Sequence, residues 1–417
     1  MSNKVKIIPL GGFDKIGMNM TIIEYQNTIV VIDCGTSFPP NNMPGIDTVI
    51  PDISYLLNNK EKVKGIVLTH GHEDHIGAIP FILRQLNVPV YGTPLTIALT
   101  EKKISDMAIK KAKTKVIKLG NTIVLGDFKI EFIRANHSIP DAAMLAIYTP
   151  KGIIFHTGDF KIDLSPITGD SIDLRRISSL GSKGILALLS DSTNALREGF
   201  SPSEADVNVQ LDMLYNKYKD NRLIIATFAS NMDRVQQIIS LAYKYGRKVI
   251  LQGETMLSIF SEAEKLGYLH IPQDILISTD EISKFKDNEL VFVTTGNHGE
   301  PITCLMDIAS GKHPLIKLCQ NDVILFSSIA IHGSEKSFSK ILNDLEEQGA
   351  TIVFQDIHAT GHACAEELRL IYTLLSPKYL IPSHGEFRYR KAAAKLAISI
   401  GIPEENIFLI KNGDVLE

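Results

Sequence analysis

Cysteine is scarce in this chain: Cys34, Cys304, Cys319 and Cys364 are the only four, and none forms a CxxC pair. That scarcity argues against a disulfide scaffold or a cysteine-only zinc site. No apolar run reaches the roughly 18 residues a membrane span requires. The opening MSNKVKIIPLGG lacks the apolar core and small-residue cleavage site of a secretory signal. A large charge excess is missing too, since 43 Lys and Arg face 47 Asp and Glu for a net charge of −4. Bulk charge therefore does not hold a polyanion, and nucleic-acid binding has to come from a local basic groove. There is no internal repeat, low-complexity segment or Pro- or Ser-rich linker. What remains is a 417-residue chain, 44% hydrophobic and 22% charged, with room for two or three domains. The expectation is a cytoplasmic protein with no membrane partner.

The first 200 residues are rich in short strands. Val5–Leu10, Met20–Tyr25, Thr28–Asp33, Gly65–Leu68, Val88–Tyr91, Thr122–Leu125, Lys129–Ile133, Leu145–Tyr148, Ile153–His156 and Ile185–Leu189 are β-rich runs broken by turn residues. Two helices are expected among them, over Ile76–Gln85 and Thr93–Met107. From about Ser201 strand and helix alternate, with Ser201-Pro202-Ser203-Glu204 opening a helix to Lys219. Such alternation predicts βαβ units and a parallel sheet, with ligands at the carboxyl ends of strands. The tail reads as helix Ala365–Leu375, strand YLIPSHG, helix Phe387–Ile400 and strand NIFLI.

The chemistry concentrates in Thr69-His70-Gly71-His72-Glu73-Asp74-His75-Ile76-Gly77, between an apolar strand and a helix. Imidazoles this crowded repel when charged, and a cation resolves the conflict. Neutral imidazole nitrogens and carboxylate oxygens are ligands of metals such as zinc and manganese. His70 and His72 fall on a turn and Asp74 and His75 at the helix start, so two neighbouring metals can share the loop. His137, Asp159 and His384 each follow a strand and supply further donors. Asp33, in VIDCG, is read either as a residue fixing a histidine tautomer or as a strand-end turn former.

THGHEDHIG resembles the HxHxDH signature of the metallo-β-lactamase fold. GGFDKIGMN, GIDTVIPDISYL, HSIPD, HTGDFK, LSDSTNA, TFASN, GEP, HATGH and HGEFR, in that order, resemble the ribonuclease J family of β-CASP nucleases. The resemblance implies an α/β fold, a four-layer αββα sandwich with an inserted parallel-sheet β-CASP domain. Its expected boundaries are 1–200 for the first part, 201–355 for the insertion and 356–417 for the returning part. It implies two divalent ions per chain, zinc or alternatively manganese. His70, His72 and His137 would hold one, Asp74, His75 and His384 the other, and Asp159 would bridge. His362 would act as general acid with Asp191 orienting it or binding the scissile phosphate, so Asp74, Asp191 and His362 form the implied catalytic set. The implied activity is hydrolysis of single-stranded RNA, from the 5′ end and also internally. A second reading is a weakly active or inactive RNA-binding subunit, and hydrolysis of a small ester or of DNA are further alternatives.

Ser230, Asn231, His358, Thr360 and Gly361 match the family's pocket for a terminal 5′-phosphate, and Phe38 could stack a base or simply pack. Asp233 stands where the family usually carries histidine, which adds negative charge beside that pocket. Seven lysines between Glu101 and Lys118, against Glu101 and Asp106, read as a solvated helix face or alternatively as an RNA-guiding patch. The sequence ends at Glu417, where the resemblance implies a linker and a small C-terminal domain. A homodimer or a hetero-oligomer with a paralogue is the expected assembly.

Overall fold

A computed structural model of the chain describes residues 3–37, 39, 45–295, 303–314, 316–327, 335–354 and 359–417. These divide into two compact units, one made of 1–164, 171–201 and 360–417, the other of 165–170 and 202–359. No helix among the described residues is long and apolar enough to cross a membrane.

The first unit is built on two six-stranded sheets. One runs in chain order from β1 (Val5–Gly11), β2 (Met20–Tyr25), β3 (Thr28–Ile32), β4 (Val63–Val67) and β5 (Val90–Gly92) to β6 (Thr114–Val116). Its first three strands are antiparallel, and β3 to β6 are parallel. The other sheet contains β7 (Thr122–Leu125), β8 (Phe128–Arg134), β9 (Ala143–Thr149), β10 (Gly152–His156) and β11 (Ile185–Asp191). The second unit holds an all-parallel sheet of β12 (Arg222–Thr227), β13 (Lys248–Leu251), β14 (Leu290–Thr295), β15 (Asp322–Phe326) and β16 (Thr351–Val353), ordered β13-β14-β12-β15-β16. Its strands are continuous apolar runs, as expected of strands covered on both faces. After it, β17 (Tyr379–Ser383) joins the sheet of the first unit as the parallel neighbour of β11.

The two-residue period of the strands sorts their side chains into two cores. Ile130, Phe132, Leu145, Ile147 and Ile154 point one way and meet Ile23, Val30, Ile32 and Val67 of the facing sheet. Ile133, Met144, Ala146, Ile153 and Phe155 point the other way. They are covered by the helices Leu174–Gly181, Ala365–Leu375 and Phe387–Ser399 through Ile177, Leu368, Ile371, Tyr372 and Ala393. The result is the α/β sandwich that the strand pattern and the resemblance imply.

Three readings change. The lysine run is not one helix face: the helix Pro94–Asp106 ends before most of it. Ala108 and Lys111 then take φ of 51° and 64°, left-handed values that stop a helix, and the chain continues as the edge strand β6. A lysine on an edge strand, here Lys115, discourages pairing with other chains. NIFLI makes a single bridge, Leu380 to Ile407, and its Ile410 carbonyl accepts from the buried Arg390 guanidinium. The helices Leu174–Gly181 and Thr303–Ala309 were not expected; the first is capped by Asp173, which accepts from the Arg176 amide at 2.9 Å. Phe132 is fully buried between the two sheets. Phe132→Ala should therefore cost about 3–5 kcal/mol, read as a fall in the urea midpoint; an unmoved midpoint would place the inter-sheet core elsewhere.

Candidate metal centre

In the first unit, β3 and β4 are parallel, as are β10, β11 and β17, and β8 runs with β10 because β9 is antiparallel to both. Asp33 follows β3, the His70–His75 loop follows β4, His137 follows β8 and Asp159 follows β10. Asp191 ends β11 and His384 follows β17. The helix Glu73–Ile76 starts with Asp74 and His75 in its single turn. Cys34 donates its amide to the His75 carbonyl at 2.7 Å and Asn19 to that of Asp74 at 2.9 Å. A side chain at Gly35 would start 1.5 Å from the Asp74 carbonyl oxygen, so only glycine lets these strands close on the loop.

His70, His72 and His137 converge. His72 Nδ1 lies 3.0 Å from Nε2 of both His70 and His137. His137 Nδ1 donates to the Gly361 carbonyl at 2.6 Å, which leaves Nε2 as a lone pair. The Thr69 hydroxyl donates to Asp33 at 2.9 Å and so accepts from His70 Nδ1 at 3.0 Å, which leaves His70 Nε2 bare as well. One proton on His72 satisfies at most one of these neighbours. Burial and the neighbouring imidazoles hold His70 and His137 well below the ordinary histidine range. Burial also takes His72 down to about 4, against the pull of Asp74 and Asp159. Buried nitrogens facing one another without protons fit a divalent cation.

A second cluster adjoins the first. Ligand atoms of Asp74, His75, Asp159 and His384 lie within 4.8 Å of one another. Asp159 stands between the clusters: Oδ2 is 3.8 Å from His70 Nε2, 3.9 Å from His137 Nε2 and 3.3 Å from His75 Nε2, and Oδ1 is 2.7 Å from His384 Nδ1. Burial opposes charge on His75, but Asp159, Asp74 and Asp33 outweigh it and hold its pKa well above the usual range. Burial likewise opposes charge on His384, and Asp159 and Asp74 lift it to about 10. Both His384 nitrogens are buried without a well-formed hydrogen bond, as donors awaiting another partner would be. Asp33 accepts from the Thr69 amide at 2.8 Å and lies 2.8 Å from His75 Nδ1, leaving Nε2 to face Asp159. It also takes φ of 61° at the strand end.

Beside the clusters, His362 Nδ1 contacts Asp191 Oδ2 at 2.8 Å. Burial works against its charge, and Asp191 and Asp159 overcome that and raise its pKa. Asp191 is itself fixed by the Thr193 amide at 2.9 Å. Thr360 and Gly361 also lie in the first unit, where the Thr360 hydroxyl accepts from Asn194 at 2.8 Å and from the His362 amide at 3.2 Å. Ser230 and Asn231 belong to the second unit, where Asn231 caps the helix Met232–Lys244 by accepting from the Arg234 amide at 3.0 Å. Asp233 sits in that helix's first turn, a place that suits a negative charge, and its carboxylate accepts from the Thr168 hydroxyl. Phe38 and His358 lie outside the described residues.

Sequence reasoning missed Asn19, whose Nδ2 lies 3.1 Å from Asp74 Oδ2 and 2.9 Å from His75 Nε2. Its one signal is a polar residue at the end of the glycine-bearing GGFDKIGMN turn. It also missed the Gly361 carbonyl as the orienter of His137, since a main-chain acceptor carries no signature. Removing the Asp33 carboxylate unties His75 and Thr69 together, so Asp33→Ala should weaken divalent-metal retention about 10–100-fold. Elemental analysis after graded chelation reads this, and wild-type retention would deny Asp33 that part.

Three family models match the chain. "Ribonuclease J, beta-CASP domain" covers residues 220–345, "Metallo-beta-lactamase superfamily" 16–195 and "Zn-dependent metallo-hydrolase RNA specificity domain" 349–408. Ribonuclease J of Helicobacter pylori is 43% identical over 99% of this chain and 60% of its own length. Ribonuclease J of Synechocystis is 41% identical over 99% and 65%. Ribonuclease J2 of Bacillus subtilis is 42% identical over all of this chain and 75% of its own. The chain thus spans less than two thirds of the first two relatives. A solved protein of unknown function from Enterococcus faecalis V583 shares the fold, with a TM-score of 0.69 at 17% identity over 99% of both chains. With full-length similarity to such relatives and the family's three domain models in order, the chain belongs to the ribonuclease J family.

Proposed function

We propose that this chain is a metal-dependent ribonuclease that hydrolyses phosphodiester bonds of single-stranded RNA from the 5′ end, with internal cleavage as a second mode, in RNA processing and decay. The observation that carries the reading is the pair of adjoining donor clusters, bare histidine nitrogens beside Asp74, His75, Asp159 and His384, with His362 against Asp191 at their edge. His70, His72 and His137 would hold one divalent ion and Asp74, His75 and His384 a second, with Asp159 shared. Imidazole and carboxylate donors accept zinc or manganese. When bound, the two ions acidify water and offset charge on the attacking and leaving oxygens.

The chain's own residues supply the rest. With Nδ1 tied to Asp191, His362 carries its transferable proton on Nε2 and passes it to the leaving 3′-oxygen. Asp191 keeps the ring oriented and favours its charged form. In the second unit, Ser230 and Asn231 would meet the terminal 5′-phosphate through amides and short polar side chains. Asp233 supports a second reading, a weakly active RNA-binding partner subunit, because it adds negative charge next to Asn231. A dimer with itself or with a paralogue accords with either reading.

Digestion of one single-stranded RNA bearing a 5′-monophosphate, triphosphate or hydroxyl, with manganese or zinc added, tests the proposal. Wild type should release mononucleotides, and chelation or the His72→Ala/Asp74→Ala double substitution should abolish that. His362→Ala should lower kcat about 10²–10⁴-fold. Silence of wild type under several metals would overturn the nuclease reading in favour of the partner-subunit one. Unchanged hydrolysis by His362→Ala would remove the proton-donor assignment.

A further inference from the structure

Glu367 is wholly buried in the first unit. It is the third residue of the helix Ala365–Leu375 and closes a capping box onto Cys364, whose amide donates to Oε2 at 2.8 Å. A capping-box glutamate ordinarily serves its own helix. This one reaches two other stretches of chain as well. Oε1 accepts from the Ile162 amide at 2.6 Å and from the Ser201 hydroxyl at 2.8 Å, and Oε2 from the Ser201 amide at 2.8 Å. Ile162 follows Asp159 by three residues, and Cys364 follows His362 by two. Ser201 is the last residue of the first unit before the chain passes into the second.

We infer that Glu367 is a positioning residue, a clip whose carboxylate fixes the His362 turn and the segment following Asp159 against each other at the point where the chain leaves the first unit. Three of the four partners are backbone amides, which can only donate, and the fourth is a hydroxyl that donates here, so a carboxylate, which only accepts, suits all four at once. A carboxamide is nearly the same size, but whichever way it turns, its NH2 faces at least one backbone amide. Glu367→Gln therefore removes at least one hydrogen bond and sets an NH2 against an amide N–H. The catalytic part of this inference rests on the nuclease reading above, with His362 as the group acted through.

The test compares wild type, Glu367→Gln, His362→Ala and the double variant of the full chain on single-stranded RNA. Glu367→Gln should lower kcat roughly 10–100-fold with KM within about threefold, a loss of transition-state rather than ground-state interaction. In the His362→Ala background the same change should cost less than about threefold, because residues acting as one unit are not additive. An equal loss in both backgrounds, or an unchanged kcat, overturns the inference. Amide hydrogen exchange gives a readout that needs no activity. Residues 160–164 and 361–366 should exchange faster in Glu367→Gln while 20–32 stay as in wild type, and unaltered exchange in the first two segments sinks the clip. A chain that digests no RNA yet shows this exchange pattern refutes the nuclease reading and keeps the clip. Should Glu367→Gln not fold, Ser201→Ala, which removes only the hydroxyl donor, should show the same exchange pattern in weaker form. Its absence there is equally decisive.

Discussion

Imidazoles whose nitrogens crowd to 3.0 Å are not a stable arrangement by themselves, and the surrounding chain fixes rings in both clusters. Thr69 fixes His70, the Gly361 carbonyl fixes His137, and Asp33 fixes His75. Each orienting group sits at a strand end or in a tight turn and is itself held. Asp33 and His384 even adopt left-handed backbone, with φ of 61° and 48°, which non-glycine residues avoid unless their surroundings demand it. Local strain of this kind is the counterpart of a preorganised site: rings already aimed need no reorganisation when a cation arrives.

The topology explains why so many donors meet. A donor placed after the carboxyl end of a strand is brought near any other donor placed after a parallel neighbour, whatever their separation in sequence. Asp159, Asp191 and His384 follow or end three adjacent parallel strands in this way. The His70–His75 loop and Asp33 do the same from the facing sheet. Thus the electrostatics that raise His75 and His384 and lower His70 and His137 follow from where strands stop, with burial setting the scale.

Most strands were legible because β-branched runs such as TIVVI and MTIIEY declare themselves through composition and turn punctuation, independent of partners. The histidine loop was legible because its crowding admits few explanations. What stayed hidden depends on contacts between distant segments. β6 lies in a lysine-rich stretch whose period says nothing, and its strand character comes from pairing with β5. Asn19 and the Gly361 carbonyl acquire meaning only through the rings they meet. Asp233 looked like an intrusive charge until the Thr168 hydroxyl and its place in a helix's first turn gave it a local structural setting. Likewise, nothing in the HATGH motif announces that the Thr360 hydroxyl and the Gly361 carbonyl accept from His362 and His137.

The pairing of β11 with β17 bears on the birth of the protein at the ribosome. Asp191 and Ser383 are register partners, yet residues 202–359, nearly all of the second unit, are translated between them. At about 5–20 residues per second, β11 therefore waits roughly ten seconds or more as an open edge strand. For most of that interval His362 and His384 do not exist, whereas His70, His72, Asp74, His75, His137, Asp159 and Asp191 have already been made. Vectorial synthesis thus leaves the two donor clusters without His384, and His362 absent beside them, until the chain returns to the first unit.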